Sequence, residues 1–230
     1  MLILWDIDGT LIRAGSISTR AFDSALAHTY GLQPPVASVP LGGKTDPLIV
    51  MEKLAEHGID QSTALAGLQS FMERYTAELS TFTEQLSQHV QVLPGVVSVL
   101  ESFASPAIHQ TLLTGNFQST ARIKLASVNL DRHFDFSKGA FGSDHHDRNR
   151  FVPIARRRAS EALGYEYPIE QIVVVGDTPR DIACARAAGV RVVAVATGRF
   201  SAHELRSHAP DALLPSLEDV ERAVATIGNG

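Results

Sequence analysis

Four apolar residues, Leu2-Ile3-Leu4-Trp5, open the chain and run straight into Asp6-Ile7-Asp8-Gly9-Thr10. An uninterrupted apolar run this short reads as a strand covered on both faces, the kind found in parallel sheets. The period then changes. Phe22, Ala25, Leu26 and Tyr30 recur at three- and four-residue spacing, and Gly31 follows as a stop. Asp46-Pro47 reads as an N-cap with proline at the first helical position, with Leu48, Met51, Leu54 and Ala55 on one face and Gly58 as the stop. Leu65, Leu68, Phe71, Tyr75, Leu79, Phe82 and Leu86 make a third stripe, which predicts one helix of about six or seven turns. No strand-like run interrupts this stretch, so it reads as a compact helical insertion.

After Leu93-Pro94-Gly95 strands and helices alternate. Helices are expected over 94–104, 119–128, 154–163 and 181–188, with Gly164 and Gly189 stopping the last two. Strands are expected over 110–114, 172–175 and 190–195. Ser216-Leu217-Glu218-Asp219 opens a final helix, like a capping box with Asp in place of Glu. The alternation predicts βαβ units and an α/β fold: a Rossmann-like parallel sheet core formed by residues 1–13 and 89–230, with an α-helical cap domain inserted over 14–88.

Composition narrows the picture. A chain of 230 residues and 24.8 kDa buries about 70% of its unfolded surface and exposes about 10,000 Å². It needs no disulfide or structural metal for a core. The single cysteine, Cys184, can form neither an internal disulfide nor a cysteine-rich zinc site, and reads as a small packed residue. A net charge of -5 leaves no basic footprint for nucleic acid. The N-terminal apolar run ends at Asp6, too short for a signal peptide, and no window reaches ~18 apolar residues, so no membrane partner is expected. A cytoplasmic monomer or homodimer fits these features.

The chemistry lies where the strands end. One ends at Asp6-Ile7-Asp8, a second at Thr114-Gly115-Asn116, and a third at Gly176-Asp177 with Asp181 four residues on. Ligands of open α/β sheets bind beyond the carboxyl ends of the strands, so these residues should share one crevice. Residues i and i+2 of an extended chain face the same side, which lets Asp6 and Asp8 point into it together. Four carboxylates need protons or a cation, and oxygen-only ligands suit Mg²⁺. One carboxylate could attack phosphorus while a second handles the proton of the leaving oxygen. An isolated Asp-x-Asp-Gly is usually no more than a turn, and Asp177 could simply cap a helix. The full D-x-D-G-T string is expected by chance in roughly a few of every thousand such chains, and here it follows an apolar strand.

Asp6-Ile7-Asp8-Gly9-Thr10, Leu112-Leu113-Thr114-Gly115-Asn116 and Val175-Gly176-Asp177-Thr178-Pro179-Arg180-Asp181 resemble motifs one, two and four of the haloacid dehalogenase superfamily. The helical stretch sits where the superfamily's phosphoglycolate-phosphatase-like branch carries its cap, and Ala185-Arg186-Ala187-Ala188-Gly189 is similar to that branch too. The resemblance implies an Mg²⁺-dependent phosphatase acting on a small phosphorylated metabolite, phosphoglycolate-like or a sugar phosphate. It implies Asp6 as nucleophile and metal ligand, and Asp8 as acid/base with its backbone carbonyl on the metal. Asp177 and Asp181 complete the metal set, while Gly9, Thr10, Thr114, Gly115 and Asn116 surround the phosphate. Dehalogenases of the superfamily lack the second aspartate, so Asp8 favours phosphoryl transfer. The motif-three lysine is missing. Arg148 and Arg150 of Asp147-Arg148-Asn149-Arg150-Phe151-Val152-Pro153 compete for its place, with Lys138 more distant, and aligning Pro153 favours Arg150.

Gly42-Gly43-Lys44-Thr45-Asp46 resembles the substrate-specificity loop of such caps, with Lys44 directed at an anionic substrate; it reads equally as a glycine loop and an N-cap. Asp144-His145-His146-Asp147 could suggest a transition-metal site, but adjacent histidines in a polar loop more often are just exposed, and Arg156-Arg157-Arg158 reads as a solvated helix face. Two other activities fit the same motifs. A sugar phosphomutase of the same branch would pass the phosphoryl group to a second hydroxyl. A non-catalytic phospho-receiver or partner-binding protein would hold it, although receivers are about half this length and carry no large insertion.

Overall fold

The structure is a computed structural model that describes residues 1–229. The opening apolar run forms strand β1 (Leu2–Trp5), and all four side chains are fully buried. Leu2 and Leu4 enter one hydrophobic cluster and Ile3 and Trp5 the other, as the period of two requires for a strand covered on both faces. The chain continues through β2 (Ile12–Arg13), α1 (Ile17–Tyr30), α2 (Asp46–Ala55), α3 (Gln61–Thr81), α4 (Thr83–His89), β3 (Gln91–Val92), α5 (Val96–Ser102), β4 (His109–Thr114) and α6 (Gln118–Ala126). It then runs through β5 (Ala140–Phe141), α7 (Phe151–Leu163), β6 (Ile172–Gly176), α8 (Pro179–Ala188), β7 (Arg191–Val195), α9 (Ala202–Ser207), β8 (Ala212–Leu214) and α10 (Val220–Gly228).

Six strands form one sheet in the order β5-β4-β1-β6-β7-β8, and every pairing is parallel. β1 lies between β4 and β6 with Trp5 level with Leu112 and Val175. The residues that follow these three strands therefore emerge side by side. Helices α5, α6 and α10 cover one face, and α7, α8 and α9 the other. The chain exposes 10234 Å², close to the expectation from its mass. No helix among the described residues is long and apolar enough to cross a membrane.

Helices α1–α4 intervene between β1 and β4. The chain leaves for them through β2 and returns through β3, which pair antiparallel, Ile12 with Val92 and Arg13 with Gln91. Two-residue strands carry no readable period, so this ribbon was not expected; nor were β5, β8 and the short α9. Inside the helical unit Phe22, Phe71 and Tyr75 form an aromatic cluster with centroids 4.9 to 5.8 Å apart. Phe117, from the loop after β4, joins it 6.0 Å from Phe71, so the unit and the sheet layer share one core.

Local chemistry adjusts the expected elements. Thr45, not Asp46, is the N-cap of α2: its side chain accepts from the Leu48 N–H, which puts Asp46 first and Pro47 second in the helix. The buried face of α2 is Ile49, Val50, Lys53 and Leu54, one position off the expected stripe. Buried Lys53 is satisfied by Asp23 Oδ1 at 2.8 Å and the Ala37 carbonyl at 2.7 Å. The expected six- or seven-turn helix is two helices, broken at Phe82. Around the break Ser80, Thr81 and Thr83 turn their hydroxyls back onto the carbonyls of Ala77, Glu78 and Ser80, local bonds that compete with a continuous ladder. Leu65 is exposed, and the stripe is carried by Ala64, Phe71, Tyr75 and Leu79. The last helix is capped by Asp219, through the Arg222 N–H, without a capping box. Gly31, Gly164 and Gly189 stop their helices in the left-handed conformation, as read from the sequence.

Removing the Phe71 ring empties the point where the helical unit meets the sheet layer. Phe71→Ala should lower unfolding free energy by about 3–5 kcal/mol, whereas Leu65→Ala, on the same expected stripe, should change it by no more than about 0.5 kcal/mol. Urea denaturation of the two variants checks the contrast.

Candidate active site

Asp6 is the first residue beyond β1, and its backbone N–H is held by the Val175 carbonyl at 2.9 Å. The chain then folds back at once. The N–H groups of Leu11 and Ile12 return to the Ile7 carbonyl at 2.9 and 3.1 Å, and Gly9 takes φ +95°. A side chain at Gly9 would meet Asp177: its Cβ would lie 2.4 Å from Oδ2. This turn is why the DxDGT string needs glycine there, and it presses the ends of β1 and β6 together. Thr10 is fully buried and donates to Asp177 Oδ1 at 3.2 Å. It positions a carboxylate and does not reach the crevice, contrary to the expectation that it faces phosphate.

Asp6, Asp177 and Asp181 are all buried, and each offers an oxygen within 4.8 Å of the others. Asp181 is fixed by the capping box of α8, its Oδ2 accepting from the Thr178 N–H and hydroxyl at 3.0 and 2.7 Å. Arg148 closes the group from the far side. One terminal nitrogen donates to Asp6 Oδ1 at 2.9 Å, Asp181 Oδ1 at 2.5 Å and the Leu113 carbonyl at 3.1 Å. The Cys184 thiol donates to the Arg148 carbonyl at 3.0 Å, and burial pushes that thiol up to about 12. Between the two arginines, then, the geometry selects Arg148. Arg150 is exposed and outside the crevice, and Lys138 pairs with Asp135 elsewhere on the surface. The choice turns on a short 3-10 turn at Arg148–Arg150 that precedes α7, which alignment on Pro153 does not register.

Three carboxylates against one guanidinium leave two negative charges in a buried space. Burial pushes Asp6 up to about 7, against the pull of Arg148. Burial, with the Asp6 and Asp181 charges, pushes Asp177 up to about 9. Hard oxygen donors carrying a residual double negative charge fit a divalent cation such as Mg²⁺.

Asp8 also lines the crevice but is not one of the three clustered carboxylates. Asn116 Nδ2 donates to Asp8 Oδ2 at 2.8 Å and to Thr114 Oγ1 at 2.8 Å. Lys124 Nζ donates to both Asp8 oxygens, at 3.0 and 3.2 Å, and to Asn116 Oδ1 at 2.7 Å. Sequence reasoning missed Lys124. The available signal was its register on α6, where Thr120, Ala121 and Leu125 share its buried face. Asp46, expected as a helix cap at the end of the 42–46 loop, is a site residue that sequence reasoning did not name. It lines the crevice, burial pushes it up to about 7 against the pull of Lys124, and it accepts the Phe117 N–H at 2.9 Å.

The loop before α2 forms the roof. Its contacts with the sheet layer include the Asp46 N–H to the Gly115 carbonyl at 2.7 Å, the Thr45 hydroxyl to the His146 carbonyl at 2.7 Å, and Arg148 Nη1 to the Gly43 carbonyl at 3.3 Å. Gly115 permits this approach, since a Cβ there would lie 2.1 Å from the Lys44 carbonyl oxygen. The crevice beneath this roof measures about 480 Å³ and includes Asp6, Asp8, Gly9, Thr114, Asn116 and Lys44 among its lining residues. Lys44 is ion-paired with Glu52. His145 and His146 stack on each other 4.5 Å apart and do not join a metal-type cluster.

The family described as haloacid dehalogenase-like hydrolase matches residues 3–195. Phosphoglycolate phosphatase 1 of Pseudomonas aeruginosa is 30% identical over 226 residues, 95% of this chain and 78% of that protein. A phosphoglycolate phosphatase of Pseudomonas syringae pv. tomato is 31% identical over 205 residues, 86% of this chain and 70% of that one. In fold the chain is similar to a hydrolase of known structure from Pseudomonas syringae, with TM-score 0.67, 20% identity and 98% of each chain covered.

The raised carboxyls set a pH dependence. Without metal, stability gained from holding protons on Asp6 and Asp177 is complete below the ordinary value of 3.8 and is lost as pH rises through about 7 and about 9 respectively. The chelator-treated protein should therefore lose thermal stability progressively from about pH 4 to about pH 9, with Asp177 alone carrying the loss above about pH 7. Mg²⁺ should raise the unfolding midpoint more at the upper end, where fewer protons compete. A Mg²⁺ effect that shrinks with rising pH would show that these carboxylates do not hold the ion.

Proposed function

Because the chain belongs to the haloacid dehalogenase-like hydrolase family, we propose that it is an Mg²⁺-dependent phosphatase that releases phosphate from a small phosphorylated metabolite by way of an aspartyl phosphate on Asp6. The observation that carries this reading is the division of labour between two carboxylates two residues apart. Asp6 is buried against Arg148 in the cluster that suits a cation, while Asp8 sits outside that cluster, half-exposed to the crevice. One is built to meet a phosphoryl group and the other to move protons.

In this reading Asp6 attacks phosphorus, and Arg148 neutralises charge between nucleophile and phosphoryl oxygens. Thr114 and Asn116, with the backbone around Gly115, surround the transferred group. Asp8 delivers a proton to the leaving oxygen, then takes one from the water that cleaves the aspartyl phosphate. Asp6, Asp177, Asp181 and the backbone of Asp8 would hold Mg²⁺, which when bound screens the negative charge gathered around the phosphoryl group. Residues 14–88 act as the cap. Docking of the 42–46 loop encloses the crevice and excludes bulk water while the covalent bond forms. The names of the relatives make phosphoglycolate the first substrate to try.

The direct test is phosphate release from p-nitrophenyl phosphate and a panel of phosphometabolites that includes phosphoglycolate. Activity should require Mg²⁺, stop with chelator and be abolished in Asp6→Asn; undiminished activity in that variant would sink the mechanism. Gly115→Ala should leave the sheet layer folded yet lower kcat/KM on the order of 10²-fold by holding the cap off its seat. A crystal structure of that variant with the 42–46 loop still docked would refute this role for the loop.

A further inference from the structure

Lys124 is a buried cation that the mechanism above does not use. It is 5% exposed and sits on the inner face of α6 among Thr120, Ala121 and Leu125. Desolvating an ammonium there is unfavourable, and a methionine of similar length would pack at least as well if the position served only stability. The ammonium instead completes a closed triangle. Lys124 reaches both Asp8 oxygens, Asn116 Oδ1 accepts from Lys124, and Asn116 Nδ2 returns to Asp8 Oδ2. Among the described residues, every side-chain hydrogen bond to the Asp8 carboxylate comes from this pair. The loop bearing Asp8 has short main-chain bonds, but its carboxylate is half-exposed to the crevice and would otherwise turn freely about its side-chain torsions.

We propose that Lys124 is a positioning residue for Asp8, fixing the direction in which that carboxylate faces the leaving oxygen. The idea rests on Asp8 being the group that protonates the leaving oxygen. It goes beyond that role by assigning its orientation to a side chain on another helix. Two features make the hold effective. A single amine contacts both carboxylate oxygens, so rotation about the last torsion breaks at least one contact. The amine is itself anchored by Asn116, whose amide also holds Thr114 Oγ1 at 2.8 Å, so the acid and the phosphate side of the crevice share one frame.

The test compares leaving groups. kcat/KM covers events up to formation of the aspartyl phosphate, so it reports on the step in which Asp8 gives up its proton. An alkyl phosphate needs that proton, whereas the p-nitrophenolate leaving group does not. In Lys124→Met at saturating Mg²⁺, kcat/KM should fall on the order of 10²-fold for the best alkyl phosphate of the panel. For p-nitrophenyl phosphate it should change by no more than a few fold. Lys124→Arg should recover part of the alkyl phosphate activity, because a cation again reaches Asp8. Thermal unfolding tracks folding of each variant, and Lys124→Gln serves if the methionine variant is unstable. Equal losses on both substrates in a folded variant, or an arginine variant no better than methionine, would overturn the proposal. Asp8→Asn provides the separation. If it shows the leaving-group signature and the Lys124 variants do not, the positioning role fails and the reading of Asp8 stands. If Asp8→Asn loses both substrates equally, the reading of Asp8 fails first and the positioning role with it.

Discussion

Three carboxylates taken out of water at the ends of two parallel strands set the terms for their surroundings. Asp6, Asp177 and Asp181 could not share so small a space without compensation, and the structure supplies it in layers. Arg148 bridges two of them. Thr10 and Thr178 spend their hydroxyls on the other oxygens. The glycine at position 9 lets a strand end pass where any side chain would strike Asp177. The central placement of β1 follows from the same need, because only there do the residues after β4 and β6 flank the one carrying Asp6.

Much of this was legible in the sequence because it depends on local rules. The apolar run at the N-terminus, the β-branched strand before Asp177 and the glycine stops at 31, 164 and 189 each follow from a period or a backbone preference that a few residues declare. The acidic positions were legible because strand ends in a parallel sheet point to one edge. What escaped was what only tertiary packing decides. β2, β3, β5 and β8 span two or three residues, too few to show alternation. A hydroxyl-rich stretch around Phe82 split a stripe that continued through it. Lys124 and Lys53 escaped as well, since nothing local marks a lysine whose carboxylate partner lies 116 residues away, as for Asp8, or on another helix, as for Asp23.

The choice between Arg148 and Arg150 shows where spacing stops being informative. Both follow the same acidic loop and both stand ahead of a helix. A single turn of 3-10 geometry sends one into the crevice and the other into solvent. Arginine also changes the character of the site relative to a lysine. One of its nitrogens can serve two carboxylates and a carbonyl while another reaches Gly43 in the roof. The same side chain thus touches Asp6 and the element that covers it.

The ribbon of β2 and β3 carries a consequence of a different kind. The chain departs for the four inserted helices and comes back at neighbouring points, so the distance between the two junctions is that of paired strands, whatever lies between them. Closing such a loop depends only weakly on its length. The inserted helices can be lengthened or shortened away from the Phe71–Phe117 contact without altering the register of the parallel sheet. The carboxylates at the strand ends can then stay fixed while the residues that the inserted helices contribute to the crevice change around them.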